Sequence, residues 1–165
     1  MSDWALERTG TGRLAERWRA AWLEATPEAF AACCSATVRY EDPLSGEPLE
    51  GLEALAHRAE ALRGAFPDMR IEASGRPIAD TAYGCLPWRF LGTQKGDAGP
   101  VPATKRFVAI QGLHYVELAD ERVRRARGFF DLHDAAVQLG LLPGRGSLGE
   151  AAILFLRGFG LRPRA

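Results

Sequence analysis

Asp131 and His114 are the first residues whose types and spacing suggest chemistry. They lie 17 positions apart, on either side of a hairpin turn at Ala119-Asp120-Glu121. Counting back from the turn puts them at similar heights on a sheet. A carboxylate and an imidazole are the groups that most readily move protons near neutral pH. Asp131 has a second reading. Asp131-Leu132-His133-Asp134 resembles a capping box with Asp in place of Glu, and Asp is a favoured helix N-cap. Tyr40 and Asp42 fall on one face of a strand, although Asp42-Pro43 is also ordinary turn chemistry.

Val123, Arg125, Arg127, Phe129 and Asp131 share a strand face if the alternation is unbroken. Three outcomes stay open for the arginines. A guanidinium beside Asp131 lowers its pKa and weakens it as a base. The arginines bind an anionic substrate group in bidentate geometry. Or a bulge at Gly128 flips the face and sends them to solvent. Trp88 and Gln111 are further candidates for lining a pocket. Trp18 and Trp22, four apart on one helix face, read as core or as pocket lining. His57 sits at the edge of an apolar stripe, and His133 reads as a solvated helix-start residue. Cys33, Cys34 and Cys85 lack a Cys-x-x-Cys spacing, and no His-x-x-x-His accompanies them. They read as small buried hydrophobes, with no metal site.

The elements that must position these residues follow from periodicity. Leu14, Trp18, Ala21, Trp22 and Ala25 form one stripe at helical spacing. Thr26-Pro27 restarts a helix, with Thr as cap and Pro at its first position; that helix should carry Phe30 and the adjacent cysteines. Residues 38–42 alternate as a strand that Pro43 ends. A helix after Gly51 buries Leu52, Leu55, Ala56, Ala59 and Leu62, and Pro67 stops it. Residues 69–74 and 81–93 read as strands, the second with Pro87 at a bulge or an edge. Residues 105–118 and 122–130 form the hairpin. A short helix opens at Asp131, and another at Ser147, where Ser147-Leu148-Gly149-Glu150 is a capping box. Ala151 to Leu156 is apolar almost all round, so something must cover it. Two or three helices interleaved with an early strand, then long antiparallel strands, make an α+β domain with helices on one side of the sheet.

The bulk numbers exclude several classes. The chain has 165 residues, enough for one domain with a core of its own. Its 21 basic and 21 acidic residues balance, which argues against a nucleic-acid partner. No stretch reaches the length of a membrane span. Met1 to Arg8 lacks a signal-peptide pattern, so a cytoplasmic location is expected.

Three segments in this order resemble the SnoaL-like polyketide cyclase (ester cyclase) group of the nuclear transport factor 2-like superfamily. They are Val38-Arg39-Tyr40-Glu41-Asp42-Pro43 followed by Gly51-Leu52-Glu53-Ala54-Leu55; Ala65-Phe66-Pro67-Asp68-Met69-Arg70; and Gly112-Leu113-His114 through Gly128-Phe129-Phe130-Asp131 to Gln138-Leu139-Gly140-Leu141-Leu142-Pro143. Phe90-Leu91-Gly92-Thr93 stands where the group often has a Gly-Thr pair. The resemblance spans roughly residues 12–143 of one 1–165 domain, with 144–165 a C-terminal helical extension.

The resemblance implies a cone-shaped, curved antiparallel sheet wrapped by N-terminal helices (the cystatin-like arrangement), enclosing an apolar pocket. It implies a homodimer through the outer sheet face. It also implies intramolecular aldol chemistry without cofactor or metal. In that chemistry a carboxylate removes a C–H proton between two carbonyls, and the enolate attacks a second carbonyl. Asp131 matches the position of the group's acid/base aspartate. His114 would polarise a carbonyl or hold that aspartate. Trp88, Gln111, Phe129, Tyr40, Asp42, Arg127 and Trp22 would contact a small apolar or aromatic carbonyl ligand. A non-catalytic small-molecule binder on the same fold is the alternative, and a protein working through its sheet face and C-terminal helix is a third reading.

Overall fold

The computed structural model describes residues 10–156; Met1 to Arg8 and the end of the C-terminal extension lie outside the described residues. The elements run α1 (Gly10–Glu24), α2 (Pro27–Ala31), β1 (Cys34–Glu41), β2 (Leu49–Glu50), α3 (Leu52–Ala65), β3 (Arg70–Ala73), β4 (Ile78–Ala79), β5 (Tyr83–Thr93), β6 (Phe107–Ala119), β7 (Arg122–Phe130), α4 (Leu132–Gln138) and α5 (Leu148–Leu156). Of the expected stripe on α1, Trp18, Ala21 and Trp22 are buried and Leu14 and Ala25 half-buried, with Ala15 buried beside them. Thr26 caps α2 by accepting from the Ala29 N–H, and Pro27 opens the helix.

The seven strands form one curved mixed sheet in the order β2-β1-β7-β6-β5-β3, with β4 on the β5 edge. The β6–β7 hairpin turns through Asp120 and Glu121, both at positive φ. Two expectations change. The sheet is not purely antiparallel, because β1 runs parallel to β7. The cysteines do not belong to α2: the helix ends at Ala31, and Cys34 opens β1, whose early residues pair non-locally with Val123.

The core lies between the helices and the inner sheet face. Trp18, Phe30, Leu55, Val38, Val116 and Val123 are almost wholly buried there. A second cluster, Phe66, Phe90, Val108 and Ala65, closes the far end. Cys33 and Cys34 are buried and Cys85 half-buried, all as free thiols.

The last helix departs from expectation. Ser147 Oγ accepts from the Glu150 N–H as a cap should, yet α5 buries none of its residues. Leu148, Phe155 and Leu156 stay exposed. Nothing among the described residues supplies the expected cover.

Candidate functional site

The inner sheet face and the helices enclose an apolar cavity of about 260 Å³. Its polar groups come from few positions. Trp18, Arg19 and Trp22 come from α1, Tyr40 and Asp42 from β1 and its exit, Arg58 from α3, and Trp88 and His114 from the central strands.

His114 is the middle of a polar chain. The Trp18 indole N–H donates to His114 Nδ1 at 3.1 Å. The ring proton therefore sits on Nε2, which faces the Tyr40 hydroxyl oxygen at 3.4 Å. Tyr40 in turn donates to Asp42 Oδ2 at 3.1 Å. Every donor in the chain points toward the Asp42 carboxylate. The rings of Trp18, Trp22, Trp88 and Tyr40 surround the imidazole at centroid distances of 5.4 to 6.1 Å. Burial in this cage pulls the His114 pKa down to about 3, against the smaller opposing pull of Asp42. The imidazole is neutral at any ordinary pH. Tyr40 is pushed well above its usual value, first by burial and then by the Asp42 charge, so it stays a phenol.

Asp42 is held from all sides. Its Oδ1 accepts from the Leu44 N–H at 2.8 Å and from Ser45 Oγ at 3.1 Å. Arg58 Nη2 lies 3.3 Å from both oxygens. The Asp42 side chain is only 7% exposed. Gly128 makes this approach possible. A Cβ there would stand 2.8 Å from the Tyr40 hydroxyl and 3.1 Å from Asp42 Cβ.

The structure brings Tyr40, Asp42, His114, Trp22 and Trp88 together around the cavity. It takes the other expected residues elsewhere. β7 ends at Phe130, and Asp131 turns outward as the N-cap of α4. Asp131 Oδ1 accepts from the Asp134 N–H at 2.9 Å, the side chain is 58% exposed, and Oδ2 lies 3.9 Å from Arg145. The cap hydrogen bond holds its pKa below the usual carboxylate range. It does not line the cavity, and the residue opposite His114 in the ladder is Gly128. Asp131 is placed as a cap, not as a pocket base.

Arg127 and Phe129 leave the cavity for a different reason, the bulge that the sequence left open, placed at Arg124 and not at Gly128. Leu118 pairs with Val123 but Glu117 with Arg125, so Arg124 is the extra residue of a β-bulge. Beyond the bulge the faces exchange. Ala126, Gly128 and Phe130 turn inward, while Arg125, Arg127 and Phe129 turn outward. Both arginines then bond Glu41 on the outer face. Gln111 is exposed on that face as well. A depression of about 320 Å³ lies there, lined by Glu41, Arg127 and Phe129. It is open to solvent, and it carries the carboxylates Asp42 and Glu47 besides the Arg127–Glu41 pair.

The linear reading missed Arg19, Arg58 and the donor role of Trp18. The available signal was position: Arg58 follows Leu55 by three and flanks the apolar stripe of α3, and Arg19 precedes Trp22 by three on α1. Among the described residues, no cluster of three His, Cys, Asp or Glu is placed to hold a metal ion. No helix among them is long and apolar enough to cross a membrane.

Comparison with known proteins agrees with this architecture. No curated protein matches the chain. A SnoaL-like protein from Jannaschia sp. CCS1 has a similar structure (TM-score 0.70, 18% identity), covering 81% of this chain and 94% of that one. TsrD from Streptomyces laurentii aligns with a TM-score of 0.71 at 20% identity, over 82% and 98% of the two chains. A protein with a ketosteroid isomerase-like fold from Catenulispora acidiphila DSM 44928 aligns at 0.66 with 16% identity, over 79% and 94%. These likenesses establish the fold. The family model of the SnoaL-like polyketide cyclases matches residues 12–139, so the chain that places its polar groups around this cavity belongs to the SnoaL-like polyketide cyclase family.

Proposed function

We propose that the protein is a cyclase- or isomerase-type enzyme that performs acid/base chemistry, without a cofactor, on a small apolar carbonyl compound, with Asp42 as proton acceptor. One observation carries this reading. Among the described residues, Asp42 is the one carboxylate that lines the cavity. The family supports the class of chemistry. A carboxylate beside the α-carbon of a bound ketone takes the C–H proton, and the C–H electron pair becomes the enolate. Returning the proton to another carbon isomerises the compound. Attack of the enolate carbon on a second carbonyl closes a ring. Tyr40, kept as a phenol, remains a donor throughout, and neutral His114 holds its oxygen.

A second reading has its own observation. The Asp42 oxygens already accept from Leu44, Ser45, Arg58 and Tyr40. A carboxylate so occupied is a poor base, which favours a protein that binds its ligand without turning it over.

Hydrogen–deuterium exchange at the α-carbon of β-tetralone, followed by NMR in deuterated buffer, separates the two. The enzyme reading expects protein-accelerated exchange that falls about 100-fold in Asp42→Asn and is unchanged in Asp131→Asn. Exchange that survives Asp42→Asn overturns the assignment. β-Tetralone binding without accelerated exchange favours the binder.

The reading extends to assembly. Tyr83, Leu113 and Phe129 leave apolar surface on the outer sheet face, which supports a homodimer through that face.

A further inference from the structure

The cavity contains unsatisfied donors and no unsatisfied acceptor side chain among the described residues. Trp22 Nε1 and Trp88 Nε1 are buried and have no hydrogen-bond partner, and both indoles line the cavity. Trp22 is only 4% exposed. An indole N–H can only donate. Leaving one buried and unpaired costs free energy that a ligand oxygen would recover.

The charges are equally one-sided. Arg19, Arg58 and Asp42 are the charged groups of the lining, since His114 is neutral. Arg58 is taken by Asp42. Arg19 is half-buried and has no carboxylate partner among the described residues. One half-buried positive charge is left over in the lining, less screened there than in open water. Arg19 and Trp22 are also one helical turn apart, so their donors serve the same side of the cavity.

We infer that the ligand of this cavity is an organic anion: a compact fused-ring body whose carboxylate, or an equivalent charged oxygen, sits against Arg19 while its ring carbonyl oxygens accept from the Trp22 and Trp88 N–H groups. The inference rests on the reading that the cavity holds the substrate, and it narrows the substrate class from carbonyl compounds to acidic ones. Arg19, Trp22 and Trp88 are then specificity residues, separate from the Tyr40–Asp42 pair that would do the chemistry. Guanidinium suits this role because it stays charged when partly buried and grips a carboxylate with two parallel N–H groups.

Calorimetric titration with α-tetralone bearing a 6-carboxylate, and with its methyl ester, tests this. The acid should bind about tenfold or more tightly than the ester, the usual worth of a hydrogen bond to a charged group. Arg19→Gln should bring the acid down to the level of the ester. Trp22→Phe and Trp88→Phe keep the ring and remove the donor. Each should weaken both probes about threefold or more, because the ketone oxygen is common to both. Equal binding of acid and ester, or a preference that survives Arg19→Gln, overturns the anion inference while leaving the cavity as a ligand site. Binding of neither probe overturns both.

Discussion

A neutral imidazole locked into a buried polar chain couples stability to pH. His114 has a folded pKa of about 3, and an unfolded histidine titrates near 6.5. Above about pH 6.5 both states are neutral and the full stability is present. As pH falls from about 6.5 toward the folded pKa, the unfolded chain takes a proton that the folded chain refuses. Stability then falls by about 1.4 kcal/mol per pH unit. The lowered carboxylates, such as Glu41 and Asp68, act in a lower window, as pH drops through the ordinary carboxylate range. Urea denaturation at pH 7 and pH 5 should therefore show a loss that His114→Gln removes. The amide accepts from Trp18 and donates to Tyr40 but does not titrate. A variant whose stability falls between the two pH values as steeply as the wild type would show that His114 is not the group responsible.

The elements decide which side chains meet, and a single extra residue redirects three of them. The bulge at Arg124 sends Arg125, Arg127 and Phe129 outward. A strict two-residue alternation cannot see a bulge, because it is set by pairing with β6 and not by the local sequence of β7. The α1 stripe, the Thr26 cap, the helix after Gly51 and the β6–β7 hairpin were legible because each depends on near neighbours. The parallel β1–β7 pairing was not, because it joins residues about 90 positions apart. Tyr40, His114, Trp22 and Trp88 were legible as pocket groups. Asp42 was legible as a residue near the pocket but not as its carboxylate, since that depends on where β7 ends and how Asp131 caps α4. Gly112 on β6 shows the same dependence at the level of packing. A Cβ there would enter the Trp88 indole, reaching 2.7 Å from Cη2, and would also meet the Phe129 carbonyl oxygen at 2.5 Å. Gly112→Ala should displace that ring, cost about 1–3 kcal/mol by overpacking, and weaken tetralone binding. Gly46→Ala meets nothing within 4 Å and serves as the control for both readouts. Unchanged binding in Gly112→Ala would mean that the Trp88 position does not govern the cavity.

At the scale of the molecule, the helices cover one face of the sheet and leave the other in solvent. That outer face carries Leu113 and Phe129, paired across β6 and β7 and 36% and 51% exposed, with Tyr83 and Phe107 further out toward opposite ends of the strands. Tyr83 stacks on Tyr115 across β5 and β6 with ring centroids 6.0 Å apart, so part of the apolar surface is already ordered. Ion pairs border it, Arg89 with Glu72 on β3 and Arg125 with Glu41 on β1. An apolar centre with a charged border is the anatomy of a specific interface. An isologous pairing satisfies it with one surface, because the same patch faces its own copy. The wild-type protein should therefore sediment as a dimer. Phe129→Glu places a charge in the centre of that patch without touching the inner core, and Leu113→Glu repeats the test from β6. Both should sediment as monomers and still bind the tetralone probes, since neither residue lines the cavity. A dimer that persists in both variants would move the interface to another surface, and the exposed apolar helix α5 would be the next to test. A wild-type monomer would leave the outer face without a second copy.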